Sequence, residues 1–285
     1  MTAKQLYDSV KELYSSCPEA EGWFDLKSLM GEMWLKYGRQ PLSHVFEPDL
    51  KVDFADEFLS DVKKALTGYP LQYITGKAPF WDSEFYVGEG VLIPRSDTER
   101  TVELALERIP HGGIVYDLCC GSGCIGISVV RSRKDIKACY CFDISDTALE
   151  YTRKNAGLNG VADRIHVIKY DVMSDDFPHD IPRPDVVVSN PPYIRDDEMD
   201  TLPKNVKYEP EIALAGGKDG FDFYRRIINN FSPMLNDGGH LLFEIAHEQW
   251  EILSPLFISA GFSPEAFRDY HGSIRTICGK IEKKY

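Results

Sequence analysis

The sequence predicts an α/β protein: a mostly parallel sheet covered by helices on both faces, preceded by a small helical domain and a β-hairpin connector. Three observations carry this. From Ile114 onward, short apolar runs alternate with stretches at helical spacing, β then α, repeatedly. Residues 1 to about 75 show the helical period alone. Between them, PFWDSEFYVGEGVLIP (residues 79–94) alternates and turns as a hairpin does.

In the N-terminal part, Leu6, Val10, Leu13 and Tyr14 fall on one helical face. Leu26, Leu29, Met30, Met33, Trp34 and Tyr37 form a second stripe behind Asp25, an N-cap candidate. Phe58, Leu59, Val62 and Leu66 form a third, stopped by Gly68 and Pro70. These read as the core of a small bundle. Residues 98–109 predict a helix leading into the α/β part. There, IVYDL, IKACYCF, RIHVIKY, DVVVSN and GHLLFEIA read as strands, and two more fit near 263–269 and 274–281, seven in all. Helices are expected over 124–132, 146–159, 221–235 and 247–260. The division is 1–76 helical, 77–96 hairpin connector and 97–285 α/β.

Bulk numbers exclude several classes. With 285 residues, 43% hydrophobic and 27% charged, the chain is of soluble globular type and long enough to bury a core. No apolar run approaches the ~20 residues of a membrane span. The opening MTAKQLYDSVKELY is amphipathic and carries Asp8 and Glu12, unlike a signal peptide. A net charge of −13 argues against a broad nucleic-acid footprint and suits a basic protein partner. Residues 1–75 hold 8 Lys/Arg against 12 Asp/Glu, so they are no basic clamp. Seven cysteines, an odd count without a secretion signal, point to a reducing cytosol. They lack a C-x-x-C pair, and Cys139 and Cys141 share one strand, so they read as small packing residues; no metal is expected.

The first β–α turn reads DLCCGSGCIG. It follows a strand and opens a helix, the context a Gly-rich nucleotide loop needs. Cys119, Cys120, Gly121, Ser122 and Gly123 form the loop, and Gly121, Gly123 and Gly126 match the dinucleotide spacing. Asp117 argues the other way, because a carboxylate at the end of that strand repels a pyrophosphate and suits a cationic ligand. S-adenosylmethionine has an ammonium and a sulfonium and no phosphate. Asp143 ends the second strand, where a carboxylate commonly binds ribose hydroxyls. Asp171 and Val172 follow the third, placed to bond an adenine amino group and pack on its ring.

The fourth strand stops at SNPPYI. Pro191 biases Asn190 toward extended backbone, and Pro192 does the same to Pro191. The Asn190 amide oxygen and the Pro191 carbonyl are therefore two acceptors held in fixed directions, suited to the two protons of a planar –NH2 group. Tyr193 supplies an aromatic face. Bonds to both N–H groups favour charge build-up on nitrogen during attack, so Asn190, Pro191 and Tyr193 are the candidate catalytic residues, and with Pro192 the substrate-binding set. Asn190 also borders the donor side.

N-P-P-Y after such a strand resembles the signature of class I methyltransferases acting on planar nitrogens. PLQYITGKAPFW, VLIPRSDTE, YEPEIALAGGKDGFDFYRRII and RDYHGSIRTICGK resemble the release-factor glutamine methyltransferases of the HemK/PrmC type, from about Pro70 to the end. The resemblance implies a Rossmann-like class I methyltransferase domain, S-adenosylmethionine as donor, and a glutamine in the Gly-Gly-Gln motif of a class I peptide release factor as acceptor. It implies cofactor binding by Asp117, Cys119 to Gly123, Asp143, Asp171, Val172 and Asn190, and glutamine binding by Asn190 to Tyr193. A cytoplasmic enzyme with no direct nucleic-acid partner is expected, its residues 1–76 docking the protein substrate. Arg95 of LIPR is read as closing over the site, with an ion pair to Asp97 or Glu99 as the structural alternative. Two positions depart from the family pattern: Cys119 replaces a usual loop Gly, which strains the backbone if φ is positive there, and Ser96 replaces a common Pro. A ribosomal-protein glutamine methyltransferase and an adenine-N6 or guanine-N2 nucleic-acid methyltransferase share N-P-P-Y and stay open as alternatives. An idle nucleotide-fold binding protein is disfavoured by the intact Asn190, Pro191 and Tyr193, and a nicotinamide dehydrogenase by Asp117.

Overall fold

The computed structural model describes residues 1–38 and 47–281. Its chain divides into two compact units: residues 1–77 together with 202–208, and residues 78–201 together with 209–285. The first therefore takes in a segment, Leu202–Tyr208, that the sequence reading left in the α/β part.

In the first unit, α1 (Ala3–Ser15) starts at Thr2, whose side chain and that of Gln5 cap each other's backbone N–H groups. It buries Leu6 and Val10. α2 (Leu26–Gly38) buries Leu29, Met30, Met33 and Trp34. Asp25 does cap it, accepting the Ser28 N–H at 2.8 Å. α3 (Ala55–Ala65) buries Phe58 and Val62, and α4 (Leu71–Thr75) is a single turn after Pro70 that helical spacing did not reveal.

The second unit opens with the hairpin β1 (Lys77–Phe80) and β2 (Ser83–Tyr86). Its two-residue turn puts Trp81 at φ 55. Glu99 accepts the Trp81 backbone N–H at 2.7 Å, and the indole N–H donates to Ser132 at 3.0 Å. Then follow α5 (Glu99–Arg108), β3 (Ile114–Leu118), α6 (Cys124–Ser132), β4 (Ala138–Asp143), α7 (Asp146–Leu158), β5 (Ile165–Lys169) and β6 (Val186–Ser189). The chain closes with α8 (Asp222–Phe231), β7 (His240–Glu244), α9 (Trp250–Ser259), β8 (Phe262–Arg268) and β9 (Ile274–Ile281). The helices expected over 221–235 and 247–260 each contain a short 3₁₀ turn, after α8 and before α9.

The seven strands lie in the order β5-β4-β3-β6-β7-β9-β8. β3 pairs in parallel with both β4 and β6, and β6 with β7; β9 runs antiparallel between β7 and β8. From β3 the chain builds outward one way and then returns to build the other. The switch point thus falls between β3 and β6, where open α/β sheets leave a crevice at the strands' C-terminal ends. Both faces are covered. Val115, Val188 and Leu242 pack with α5 and α6, whereas Tyr116, Val187, Leu241 and Phe243 pack with α8 and α9. The three β6 valines are fully buried, each contributing about 1.5–3 kcal/mol of apolar burial.

At Gly126, in the first turn of α6, an added Cβ would stand 2.7 Å from the Cys139 sulfur and 3.0 Å from an Asp117 carboxylate oxygen. The helix can lie this close to the sheet because that position has no side chain. Gly126→Ala should therefore destabilise the fold by about 1–3 kcal/mol, seen as a lower urea midpoint at unchanged slope.

Candidate active site

At the switch point lies an open cleft, the place where open α/β sheets bind their ligands. Cys119, Cys120, Gly121 and Ser122 wall it on one side, Asp143, Asp171 and Val172 on another, Asn190 and Pro192 on a third. The loop after β3 is tied down through its backbone. The Gly121 N–H donates to Asp143 at 2.9 Å, and Thr152 donates to the Gly121 carbonyl at 2.9 Å. Asn155 donates to the Ser122 carbonyl at 2.9 Å and holds Tyr86 of the hairpin by both its N–H (2.6 Å) and its carbonyl (3.0 Å). Thr152 and Asn155 are wholly buried in α7. Nothing in their helical spacing marked them as supports of the loop.

Asp143 uses one oxygen on Gly121 and the other on the Ser145 N–H at 2.9 Å. Burial raises its carboxyl and these backbone bonds oppose the rise. Each oxygen keeps a lone pair for a hydroxyl. Asp171 orients through the Met173 N–H at 2.8 Å. Among the described residues the basic side chain on the cleft is Arg95, and it is taken by an ion pair with the buried Glu209. The wall is otherwise carboxylate and apolar, an electrostatic setting that favours a cationic ligand over an anionic one.

The Arg95 pairing corrects the expectation of Asp97 or Glu99. Glu209 also accepts the Ile93 N–H at 3.0 Å, while Arg95 donates to the Ile93 carbonyl at 3.0 Å. The LIPR and YEP segments, more than a hundred residues apart, are thereby one clasp on the rim, with Pro94, Pro210 and Ile212 on the cleft. The GGKDG loop is locked onto N-P-P-Y in turn. Ile194 and Gly216 exchange backbone bonds with this loop and strand (Ile194 N–H to Leu214 at 2.9 Å, Gly216 N–H to Ile194 at 2.7 Å). A Cβ on Gly216 would stand 2.6 Å from the Tyr193 Cα. Gln249, buried, donates to the carbonyls of Gly220 (3.2 Å) and Tyr193 (3.4 Å) and accepts from Tyr224 (3.1 Å) and the Ala246 N–H (2.9 Å).

Of the residues read from sequence, Asp117, Gly123, Pro191 and Tyr193 are not on the cleft wall, although Gly123 directly follows the wall residue Ser122 and Pro191 lies between the wall residues Asn190 and Pro192. Asp117 is 1% exposed and turned to α6, where one oxygen accepts the Gly126 N–H at 2.8 Å and the other has no partner. Burial pushes its carboxyl up to about 7, with the Asp143 charge adding to the rise. It lies behind the loop, engaged with the first turn of α6. Gly123 is the N-cap of α6. Pro191 is buried and Tyr193 packs partly into the core against α8 and α9. Burial, and then the Glu244 carboxylate, push the Tyr193 hydroxyl up to about 12. Among the described residues the Asn190 side chain makes no hydrogen bond, whereas Ser189 beside it donates to the Leu118 carbonyl at 2.7 Å and pins β6 to β3. Phe223 of α8, read only as part of a helix, also lines the cleft. The described residues contain no group of three metal-ligating side chains, and the seven cysteines are free thiols.

A mostly parallel seven-stranded sheet in this order, with a Gly-rich loop at the switch point, defines a class I methyltransferase domain, and a family model described as "Methyltransferase small domain" matches residues 96–206. The fold alone is also shared with Methanocaldococcus jannaschii Trm5 solved in complex with adenosine (TM-score 0.50, 18% identity, 73% of this chain and 55% of that one). Among curated relatives, the release factor glutamine methyltransferase of Clostridium botulinum is 37% identical over 262 residues, covering 89% of this chain and 90% of that protein. That of Aquifex aeolicus is 31% identical over 94% of both. The chain belongs to the release factor glutamine methyltransferase family.

Cys119 sits at φ 56, in the region that favours glycine, at a strain of about 1–2 kcal/mol. Cys119→Gly should hold or raise the melting temperature, and Cys119→Val should lower stability by about 1–3 kcal/mol, both by thermal denaturation. For Asp117 the folded carboxyl titrates near 7 and the unfolded near 3.9. Between those values only the folded state holds the proton, so its contribution to stability is lost as pH rises from about 4 to 7. Asp117→Asn should therefore gain on wild type by about 2 kcal/mol or more between pH 5 and pH 8, measured by urea unfolding at each pH.

Proposed function

We propose that this methyltransferase moves a methyl group from S-adenosylmethionine to the side-chain amide nitrogen, N5, of the glutamine in the Gly-Gly-Gln motif of a class I peptide chain release factor. The observation that carries this reading is Asn190. It ends the strand at the switch point, borders the cleft, and keeps its amide free of internal bonds, with a rigid Pro-Pro unit behind it.

The donor, when bound, supplies an electrophilic methyl group on a sulfonium. Asp143 would take the ribose hydroxyls, Val172 and Asp171 the adenine, and the backbone of Cys119 to Gly123 the amino-acid end. On the acceptor side, the Asn190 amide oxygen and the Pro191 carbonyl take the two amide protons. The nitrogen's electrons are delocalised into its own carbonyl; two fixed acceptors favour positive charge on nitrogen as it attacks. The bracing of N-P-P-Y by Gln249 and the GGKDG loop keeps those acceptors from relaxing, and orientation supplies the rest of the acceleration. Tyr193 braces this segment from the core side. No general base need act before transfer, since the product amide sheds its proton afterwards.

A protein acceptor agrees with the net charge of −13 and with a cleft that, among the described residues, has no unpaired Lys or Arg for a nucleic-acid backbone. The helical unit of residues 1–77 is the proposed docking element for the release factor. No described helix is long and apolar enough to cross a membrane, and a cytoplasmic location is proposed with the substrate.

Labelled donor should methylate a folded release factor carrying Gly-Gly-Gln and leave the Gly-Gly-Ala variant unlabelled; equal labelling, or preference for ribosomal protein or DNA in parallel reactions, refutes the reading. Asn190→Ala should lower kcat by about 10²–10³-fold, while donor affinity by calorimetry falls much less.

A further inference from the structure

Asn190 must present its oxygen, not its nitrogen, to the acceptor amide, and the two ends of an Asn side chain differ little in shape. Turned the wrong way it would set an –NH2 against an –NH2. What selects the orientation must be a group on its far side, and β7 supplies one. In the parallel register Val188 pairs with Leu242 and Ser189 with Phe243, so the next position sets Asn190 beside Glu244. Side chains alternate along a strand; Val188 and Leu242 share the core cluster of α5 and α6, and two positions on, Asn190 and Glu244 follow them. Glu244 is 3% exposed, and its Oε2 has no hydrogen-bond partner. Its charge reaches Tyr193 on one side and Cys124, on the cleft wall, on the other. A buried carboxyl oxygen left without a partner is costly, and such groups concentrate at functional sites.

We propose that Glu244 is a positioning residue for the transfer: its free carboxyl oxygen accepts from Nδ2 of Asn190 and so turns Oδ1 toward the acceptor amide. This rests on the glutamine-amide reading of the cleft. Burial pushes the Glu244 carboxyl up to about 7, opposed by the Thr98 hydroxyl and by Arg275 and Arg95. The titratable and charged groups around it are Arg95 and Asp97 before α5, Arg275 on β9, Tyr193 after β6, Cys124 on α6 and Tyr224 on α8.

The test uses the full chain with labelled donor and Gly-Gly-Gln release factor. Wild-type turnover on that substrate, absent with Gly-Gly-Ala, checks the underlying reading first; its absence sinks that reading and not this one alone. Given it, Glu244→Leu should lower kcat at least tenfold with KM for the release factor and Kd for the donor changed less than threefold. The same variant should melt no lower than wild type at pH 5 and higher at pH 8, where the lost carboxyl is charged. Glu244→Gln, whose amide oxygen still accepts while its nitrogen can donate to the neighbouring Thr98 hydroxyl, should restore kcat to within about threefold of wild type. Wild-type kcat in the Leu variant overturns the proposal. So does a Gln variant as slow as the Leu one, which would mark Glu244 as a proton acceptor instead.

Discussion

The site depends on three neighbouring parallel strands, β3, β6 and β7, whose C-terminal ends lie within one residue of the same level. Their register sets Leu118, Ser189 and Phe243 side by side. The next residues are therefore Cys119, Asn190 and Glu244, a small loop residue, an amide and a carboxyl in a row across the crevice. β3 and β6 leave the sheet there while β7 runs one residue further, so the Gly-rich loop and the N-P-P-Y segment begin as neighbours, though some seventy residues separate them.

Around that row the chain spends stability on geometry. Cys119 holds a left-handed backbone. Asp117 and Glu244 each keep a buried oxygen unpartnered, and each is pushed by burial toward the neutral form. These costs are carried by ordinary packing elsewhere: the β6 valines, and the aromatic layer where Tyr116, Phe142 and Phe243 of the sheet meet Tyr224 and Phe231 of α8. The polar supports that do work without such cost are fully bonded. Asn155 and Gln249 each place donor and acceptor on backbone groups, which fixes the Gly-rich loop and the N-P-P-Y turn without leaving a polar atom bare.

Periodicity and local motifs were legible because they depend on neighbours in sequence. The seven strands, the helical stripes of Trp34 and Phe58, the Asp25 cap and the nucleotide loop all belong to that kind. The role of Arg95 was not. Its partner Glu209 lies 114 positions away, and nearby Asp97 and Glu99 were the natural guess from sequence alone. Asp117 is a related case. A carboxylate at a strand end reads as facing ligand, but the close approach of α6 at Gly126 gives it a backbone N–H to hold instead. Thr152, Asn155, Gln249 and Phe223 carry no motif, since each acts through a contact made only after the helices pack.

The sequence by itself carried the family resemblance: the N-P-P-Y segment after the fourth strand, the Gly-rich loop after the first, and the LIPR and YEP segments. Only the tertiary structure decided which groups touch the cleft and which stand behind it. The reason is physical. Hydrophobic period and proline geometry act within a few residues, whereas burial, ion pairing and strand register are properties of the packed sheet, and it is register that brings Glu244 to Asn190.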